Sequence, residues 1–162
     1  MILAIALAAQ LTNPGFERGL EGWQAIGHRG IGASVVANRS YSSDRAPQGR
    51  HYLAMGWRAR NSILGAEKRL FTSVDARRYR GRTIRVSALT RAPAFAHGNG
   101  RLVLRVEGAE AQARIAASEN WQRHGATLRI PRDARRLEIA FEVRGASSEL
   151  AVDDVRIALV RR

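Results

Sequence analysis

Residues that commonly carry enzyme chemistry are sparse in this sequence. The chain contains no cysteine, which excludes disulfides, thiolate zinc sites and cysteine nucleophiles. It contains no Gly-x-Ser-x-Gly or His-Glu-x-x-His motif, and the glycine-rich segment 27–32 lacks the spacing of a phosphate-binding loop. The four histidines are too dispersed to indicate a metal centre: His28, His51, His97 and His124. We therefore expect a protein that binds a ligand without catalysing a reaction.

The elements that position any binding residues are predicted to be strands. Apolar and polar residues alternate strictly in four segments, as they do in strands with one buried face. The predicted inward residues are Leu102, Leu104 and Val106; Ile84, Val86 and Ala88; Leu137, Ile139, Phe141 and Val143; and Ala126, Leu128 and Ile130. Four further strands are predicted at 33–37, 51–55, 68–74 and 150–160.

Turn signals separate these strands, and no segment has a sustained helical period. Segment 110–118 is the best helix candidate, but it is short and has no clear apolar stripe. Eight or nine short strands indicate an all-β fold, a two-sheet antiparallel sandwich or jelly roll. The tetrad Asp-Ala-Arg-Arg occurs at 75–78 and at 133–136, each time before a predicted strand, and we interpret both copies as turn sequence.

Several motifs together resemble a known family. The segment 11–23, with Asn-Pro-Gly-Phe-Glu followed by Gly-Trp, is similar to the opening of carbohydrate-binding modules with the galactose-binding-like jelly roll. The segments 49–55, 79–88 and 121–131 resemble later strands of that family, and Asp-Asp-Val in 150–157 resembles its closing strand. The resemblance covers about 145 residues in the correct order. It implies the same jelly-roll fold over residues 10–162.

The resemblance also implies a structural calcium ion. In this family the ion commonly lies between an N-terminal Glu and an Asp of the last strand, which correspond here to Glu17 and to Asp153 or Asp154. Calcium prefers hard oxygen ligands, so carboxylates from both ends of the chain with loop carbonyls are suitable. Alternation places Asp153 and Asp154 on opposite faces, so we expect only one to face Glu17. The alternative is that Glu17 pairs with an arginine and Asp153 remains solvated.

Five residues are candidates for binding a polysaccharide or oligosaccharide. Trp57 lies in a predicted loop and is the best candidate for stacking on a sugar ring, while His97 and Asn99 lie in a glycine-rich loop. Arg85 and Arg105 share an outward strand pattern with Glu138 and Glu142, so they line a polar face or form cross-strand ion pairs. Trp23 and Trp121 match family positions that are usually structural.

The net charge of +13 arises from 27 basic residues, nearly all arginine, against 14 acidic ones. Such a surface can attract an anionic envelope polymer, but the arginines are scattered along the chain, which favours solvated strand faces. We do not expect nucleic-acid binding, because no aromatic residues interleave with a basic stripe.

Residues 1–9 are apolar and too few to span a membrane. They resemble the remnant of a secretory signal with an Ala-x-Ala cleavage pattern, or else form a first strand. Together these features predict a secreted or periplasmic, non-catalytic module that recognises a cell-surface or secreted polysaccharide. The alternative is an envelope-structural or protein-interaction jelly roll without a sugar site, able to bind anionic polymers through its arginines.

Overall fold

The structure is a computed structural model that describes residues 11–26, 33–37, 45–55, 67–92, 99–144 and 149–160. Strands dominate these residues, and one 3-10 turn, η1 (Arg77–Tyr79), interrupts them. The strands are β1 (Gln24–Ile26), β2 (Ala33–Ala37), β3 (His51–Met55), β4 (Glu67–Asp75), β5 (Thr83–Ala92), β6 (Asn99–Val106), β7 (Ala109–Ile115), β8 (Ser118–Arg129), β9 (Arg136–Arg144) and β10 (Leu150–Leu159). No helix in the described part of the chain has the length and apolar character needed to cross a membrane.

The strands form two antiparallel sheets of five strands each. Sheet A has the order β1-β4-β9-β6-β7, and sheet B has the order β2-β3-β10-β5-β8. Each sheet combines one pair of consecutive strands, β6 with β7 and β2 with β3, with neighbours from distant parts of the chain, such as β4 with β9, as expected for a jelly roll. The predicted all-β two-sheet sandwich is therefore confirmed.

The core lies between the sheets and includes the predicted inward residues, together with others such as Phe16, Leu53 and Leu70. Leu102, Leu104, Ile139 and Phe141 from sheet A are fully buried, as are Ile84, Val86 and Ala88 from sheet B. Alternation with period two directs every second side chain into this layer, which removes its apolar surface from water. Val106, at the end of β6, is only partly buried.

Two strands were not predicted. Segment 110–118, the best helix candidate, is not a helix, because β7 occupies Ala109–Ile115 and pairs with β6. Its alternating residues Ala109, Ala111 and Ala113 pack against the core, but alanine favours helices and is too small to signal a buried strand face. The short β1 has only three residues, all exposed, and pairs with β4 at the sheet edge.

The N-terminal loop of residues 11–23 docks on the core and on the closing strand. Phe16 and Trp23 are buried with their ring centroids 5.2 Å apart, and the Trp23 indole N–H donates to the carbonyl of Thr12. The backbone N–H of Val155 in β10 donates to the carbonyl of Pro14 at 3.1 Å. The loop is thus joined to the last strand at the position where the carboxylates of both segments lie.

Candidate functional site

Two carboxylates from opposite ends of the chain converge on the loop before β3. Asp153 of β10 accepts a hydrogen bond from the backbone N–H of Gln48 at 3.1 Å. Glu17 accepts from the backbone N–H groups of Arg50 and His51, at 2.7 and 2.9 Å, and its second oxygen lies 3.0 Å from His51 Nδ1. These bonds hold the two carboxylates against one short stretch of loop.

The Asp153 carboxylate is fully buried. Burial raises the pKa of Asp153 to about 6, and the neighbouring carboxylates of Asp154 and Glu17 add to the rise, although the backbone N–H groups of Asp154 and Gln48 oppose it. Among the described residues no arginine, lysine or histidine forms an ion pair with Asp153. A buried carboxylate with only backbone donors is an unusual arrangement, because an uncompensated buried charge is costly.

Asp154 faces a different environment. A bulge between Asp153 and Arg156 interrupts the pairing of β10 with β5, and Asp154 adopts a positive φ of 49°. Its carboxylate forms ion pairs with Arg123 and with Arg156, the latter at 2.8 Å. The structure therefore places Asp153 beside Glu17 and directs Asp154 to two arginines.

The metal-ligating capacity of this region is limited to a few side chains. No group of three or more His, Asp or Glu side chains in the described ranges surrounds a common point. Glu17 and Asp153 could supply carboxylate oxygens, and backbone carbonyls with water would have to complete the six to eight oxygens that calcium takes. Hydrogen bonds from the His51 side chain lower the pKa of Glu17, so that carboxylate is ionised at neutral pH.

A second site lies on the outer face of sheet A, where β4, β9, β6 and β7 run side by side. The strand register places outward residues in three rows across the sheet. The middle row is largely apolar, and the two flanking rows are charged or polar. The rows are Arg69, Glu142, Arg101 and Arg114; Phe71, Ala140, Val103 and Gln112; and Ser73, Glu138, Arg105 and Glu110.

Ion pairs connect the two outer rows across the middle one. Arg105 Nη1 lies 2.8 Å from Glu142 and 3.3 Å from Glu138, and its Nε lies 2.8 Å from Glu110. Arg69 pairs with Glu138, and its guanidinium lies 4.7 Å from the centroid of the Phe71 ring. These crossings fix the long side chains over Ala140 and Val103 of the middle row, which are buried, whereas Phe71 is half-buried and Gln112 is exposed.

Glu142 is the most buried charge of this face, with 5% of its side chain exposed. Three guanidinium groups surround it, those of Arg69, Arg101 and Arg105 at 3.5, 3.7 and 2.8 Å. Arg69 Nε is buried and donates no hydrogen bond to a described residue, although it lies near Glu142. The Arg69–Glu142 contact is therefore an ion pair without a hydrogen bond at Nε, in the row that flanks the apolar middle row.

A shallow groove of about 540 Å³ runs over this face, and we call it the sheet A groove. Its lining consists of Arg69, Arg101, Arg105, Glu110, Gln112, Glu138 and Glu142. Three guanidinium groups and three carboxylates balance each other, so the lining is neutral while presenting many donors and acceptors.

The fold of the chain is similar to that of solved sugar-binding domains. No protein-family model and no curated protein matches the sequence. The carbohydrate-binding module TmCBM61, solved in complex with β-1,4-galactotriose, superposes with a TM-score of 0.65 at 21% identity and covers 93% of this chain and 97% of its own. The C-terminal family 22 module of Clostridium thermocellum Xyn10B gives a TM-score of 0.60 at 19% identity, covering 92% and 94%.

The same fold also occurs in an enzyme. A cyclase from Fischerella sp. TAU gives a TM-score of 0.71 at 15% identity and covers 96% of this chain and 98% of its own. At such low identities the likeness establishes the fold. The chain has the jelly-roll fold of carbohydrate-binding modules.

The jelly roll separates two of the predicted ligand-binding residues. Arg105 lies in the sheet A groove beside Glu138 and Glu142, so these three neighbour one another and do form cross-strand ion pairs. Arg85 lies on β5 in sheet B, on the other side of the sandwich. The sequence pattern of outward residues is the same in both strands, and only the sheet order distinguishes them.

Other predicted residues are placed only in part or lie outside the described residues. Asn99 begins β6, where it is paired with Arg144. Trp57, His97 and residues 1–9 lie outside the part of the chain that the structure describes.

The two tryptophans expected to be structural are both engaged in packing. Trp23 is a core residue against Phe16 and Phe141. Trp121 is partly buried at an edge-on angle to Tyr52, and its indole N–H donates to the carbonyl of Arg45 at 3.1 Å. Trp121 thereby fastens the loop before β3 to β8.

The groove residues Arg69, Arg101, Phe71 and Gln112 were not among the predicted binding residues. Their signal in the sequence is only the outward half of the alternation in their strands. That half also contains many solvated residues, so the sequence offers no criterion for selecting these four.

Proposed function

We propose that the sheet A groove binds a glycan and that the protein is a non-catalytic carbohydrate-binding module. The observation that carries this proposal is the set of alternating guanidinium, carboxylate and amide groups fixed along one outer sheet face. Sugar hydroxyls both donate and accept hydrogen bonds, and such a lining offers partners for both.

The ion pairs in the groove favour binding because they fix side chains before a ligand arrives. Arg105 contacts Glu110, Glu138 and Glu142, so its rotamers are already restricted. Ordering a long side chain on binding costs about 0.5–1.5 kcal/mol, and prior ordering avoids much of that cost.

The same contacts argue for binding without catalysis. Hydrolysis of a glycoside requires a carboxylic acid that donates a proton and a second carboxylate free to act as base or nucleophile. In the groove, Glu138 and Glu142 are both held by Arg105 and Arg69. Glu110, the third carboxylate of the lining, is likewise paired with Arg105, so all three carboxylates are engaged in ion pairs.

The test is binding to a panel of neutral polysaccharides, measured by affinity electrophoresis and calorimetry. We expect Gln112→Ala to weaken binding about fivefold to tenfold, the effect of one lost hydrogen bond. Thr127→Ala, an exposed change on β8 in the opposite sheet, is the matched control and should have no effect. Trp57→Ala tests the site predicted in the loop.

Binding that survives Gln112→Ala but disappears in Trp57→Ala would refute the groove and move the sugar site to the loop. Absence of binding to any glycan would refute the module as a whole. It would favour the alternative of an envelope-structural or protein-interaction jelly roll. Release of reducing sugar during the assay would contradict the non-catalytic role.

We also propose a structural calcium ion held by Glu17 and Asp153. The support is the buried Asp153 carboxylate, which lacks a cationic partner among the described residues and lies at the junction of three chain segments. When bound, calcium would supply the positive charge that this carboxylate otherwise lacks. His51 and the loop backbone already hold the second carboxylate, that of Glu17, in position.

Thermal unfolding with calcium or with chelator tests this site. Calcium at a hundredfold excess over its Kd should add about 2.7 kcal/mol, or roughly 5–10 °C in Tm for a chain of this size. Glu17→Gln should abolish the shift, whereas Glu21→Gln in the same loop, which removes only an exposed pair with Arg18, should retain it. A wild-type protein whose Tm ignores calcium would refute the ion.

We propose a secreted or periplasmic location, in accord with the apolar segment 1–9 and with a polysaccharide ligand. Detection of the mature chain in the culture medium or periplasm, with N-terminal sequencing, would test it. An intact N-terminus in the cytosolic fraction would contradict it.

A further inference from the structure

The repeated tetrad Asp-Ala-Arg-Arg has a structural meaning that the sequence does not show. The first copy follows the end of β4, and the second leads into the start of β9. Because β4 and β9 are antiparallel neighbours, both copies lie at the same end of sheet A, with Asp75 opposite Arg136 in the register. The two tetrads are therefore adjacent.

The buried alanines and the backbone hold the two copies together. Ala76 and Ala134 are both fully buried. The backbone N–H of Ala76 donates to the carbonyl of Arg135 at 3.0 Å. Arg80 donates from Nε to the carbonyl of Ala134 at 2.7 Å and from Nη2 to that of Asp133 at 3.2 Å. The pairing is thus a fixed feature of the fold, with each pair of arginines projecting from an anchored backbone.

Between the copies lies a cleft of about 700 Å³, which we call the tetrad cleft. Its lining includes Ser73, Asp75, Arg77, Arg80, Arg135 and Arg136. Segments 75–82 and 132–136 contain seven arginines and two aspartates, all exposed. The cleft is strongly basic, whereas the lining of the sheet A groove is neutral.

Within the described part of the chain, most of these guanidinium groups have no ion-pair partner. Arg77 is engaged, because its Nε and Nη2 both bond to Asp75. Arg78, Arg135 and Arg136 form no ion pair with any carboxylate of the described residues. Arg80 is oriented by two carbonyls, which accept hydrogen bonds but carry no formal charge. Three guanidinium groups of the lining, those of Arg80, Arg135 and Arg136, therefore form no ion pair within the described residues, although the exposed Glu107 carboxylate lies near enough to Arg135 to interact with it electrostatically.

We propose that the tetrad cleft binds the oxyanion groups of an acidic polysaccharide, either carboxylate or sulfate. Guanidinium groups bind both oxyanions through paired hydrogen bonds in a plane. The Ser73 hydroxyl in the same lining can bond to a sugar hydroxyl. A glycan is favoured over nucleic acid because no aromatic side chain lines the cleft for base stacking.

This inference rests on the proposed function in taking the polymer to be a glycan, but it uses a different site. The groove and the cleft lie on sheet A, and Ser73 and Glu138 are paired between them in the register. A chain with neutral and acidic sugars could therefore contact both. Binding at the cleft is electrostatic, whereas binding in the groove depends on hydrogen bonds within a neutral lining.

The test compares three polymers at low and high salt by affinity electrophoresis: polygalacturonate for carboxylate, dextran sulfate for sulfate, and dextran as the neutral reference. We expect Arg135→Gln/Arg136→Gln to weaken binding of at least one acidic polymer about tenfold or more. High salt should weaken the same binding, since the screening length shortens from about 10 Å at 0.1 M to about 3 Å at 1 M.

The matched control is Arg85→Gln/Arg129→Gln, which removes the same charge from exposed positions of sheet B. It should change acidic-polymer binding less than twofold, and thermal melts should show that both double variants are folded. Equal weakening in the two double variants would overturn the cleft in favour of diffuse charge. Single-stranded DNA that binds as tightly as the acidic glycans, with the same arginine dependence, would also overturn it.

The sheet A groove variant Gln112→Ala separates this proposal from the proposed function. Acidic-polymer binding that persists in Gln112→Ala and fails in the cleft variant supports the cleft, whatever happens to neutral glycans. Acidic-polymer binding that fails in Gln112→Ala and persists in the cleft variant assigns those polymers to the groove and overturns the cleft.

Discussion

Glu142 and Asp153 are both buried carboxylates on central strands of opposite sheets, and their surroundings differ. Glu142 has three guanidinium groups within 3.7 Å. Asp153 has backbone N–H donors from Gln48 and Asp154 and no ion pair with a described residue. Within the described residues, side chains thus compensate one buried negative charge, whereas the other is stabilised by backbone N–H dipoles.

A bound cation would stabilise Asp153 more than Glu142. A carboxylate already surrounded by cations gains little from a further cation, whereas one stabilised only by backbone dipoles gains much. The difference supports the two proposals made above, recognition by hydrogen bonds in the sheet A groove and a calcium ion at the junction of Glu17 and Asp153. The same contrast predicts opposite responses to neutralising mutations.

The largest effect is expected at Glu142. Glu142→Gln leaves three arginines around a neutral amide and should destabilise the fold by about 2–3 kcal/mol, less than a fully buried pair because the arginines are partly exposed. Urea unfolding with calcium and with chelator should give the same loss. An unchanged stability, or a loss that depends on calcium, would contradict the different roles inferred for the two carboxylates.

Without metal, Asp153→Asn should change the free energy of unfolding in the opposite direction to Glu142→Gln. Removing the buried charge should stabilise the chelated protein by about 1 kcal/mol, reduced because an amide accepts fewer hydrogen bonds. With calcium the same variant should lose the stabilisation that wild type gains. Urea unfolding of both proteins with calcium and with chelator measures the two effects. Destabilisation in chelator as large as that of Glu142→Gln would show that backbone donors alone compensate the charge.

Substitution of Gly49 tests whether the position of the Glu17 carboxylate matters for calcium binding. It has a φ of +65°, and an added Cβ would overlap the Glu17 carboxylate. Gly19 has a φ of +67° and open space around the same atom, so it is the matched control. Both alanine variants should lose about 1–2 kcal/mol from the left-handed backbone. Only Gly49→Ala should also reduce the calcium-dependent rise in Tm, and equal calcium responses would separate Glu17 from the ion.

The smallest effect is expected at Asp75, a carboxylate that is paired but exposed. Hydrogen bonds from the Arg77 side chain lower the pKa of Asp75 from 3.8 to about 2. Because the pKa of Asp75 is lower in the folded state, its contribution to the stability of the fold is present above pH 3.8 and is lost as the pH falls towards 2. Asp75→Asn should slightly flatten this acid limb in a series of thermal melts and leave Tm at neutral pH almost unchanged. A large change in Tm at neutral pH would show that the Asp75–Arg77 ion pair stabilises the fold although both groups are exposed.

The fold was well predicted because its signal is local. Alternation in 137–143 and in 84–88 determines which side chains face the core, and the inward side chains of both segments are buried as expected. Segment 109–115 was missed because alternating alanines bury too little surface to reveal a strand. The short β1 was missed for a related reason, since all three of its residues are exposed.

The sites were predicted less well because they depend on strand order. Arg85 and Arg105 have the same outward pattern, yet one lies in sheet B and the other in sheet A. Arg69 and Arg101, far apart in sequence, flank Glu142 because β4, β9 and β6 are neighbours. No spacing along the chain encodes those neighbours.

By itself the sequence determined the strand faces, the turns, the absence of thiol chemistry and the family motifs at both ends of the chain. These follow from residue type and from period two, which each segment carries independently of the others. Only the tertiary structure decided that Asp153, and not Asp154, lies beside Glu17, and that the two tetrads form one cleft. A bulge in β10 and the antiparallel pairing of β4 with β9 set these positions, and both arise from contacts between segments distant in the chain.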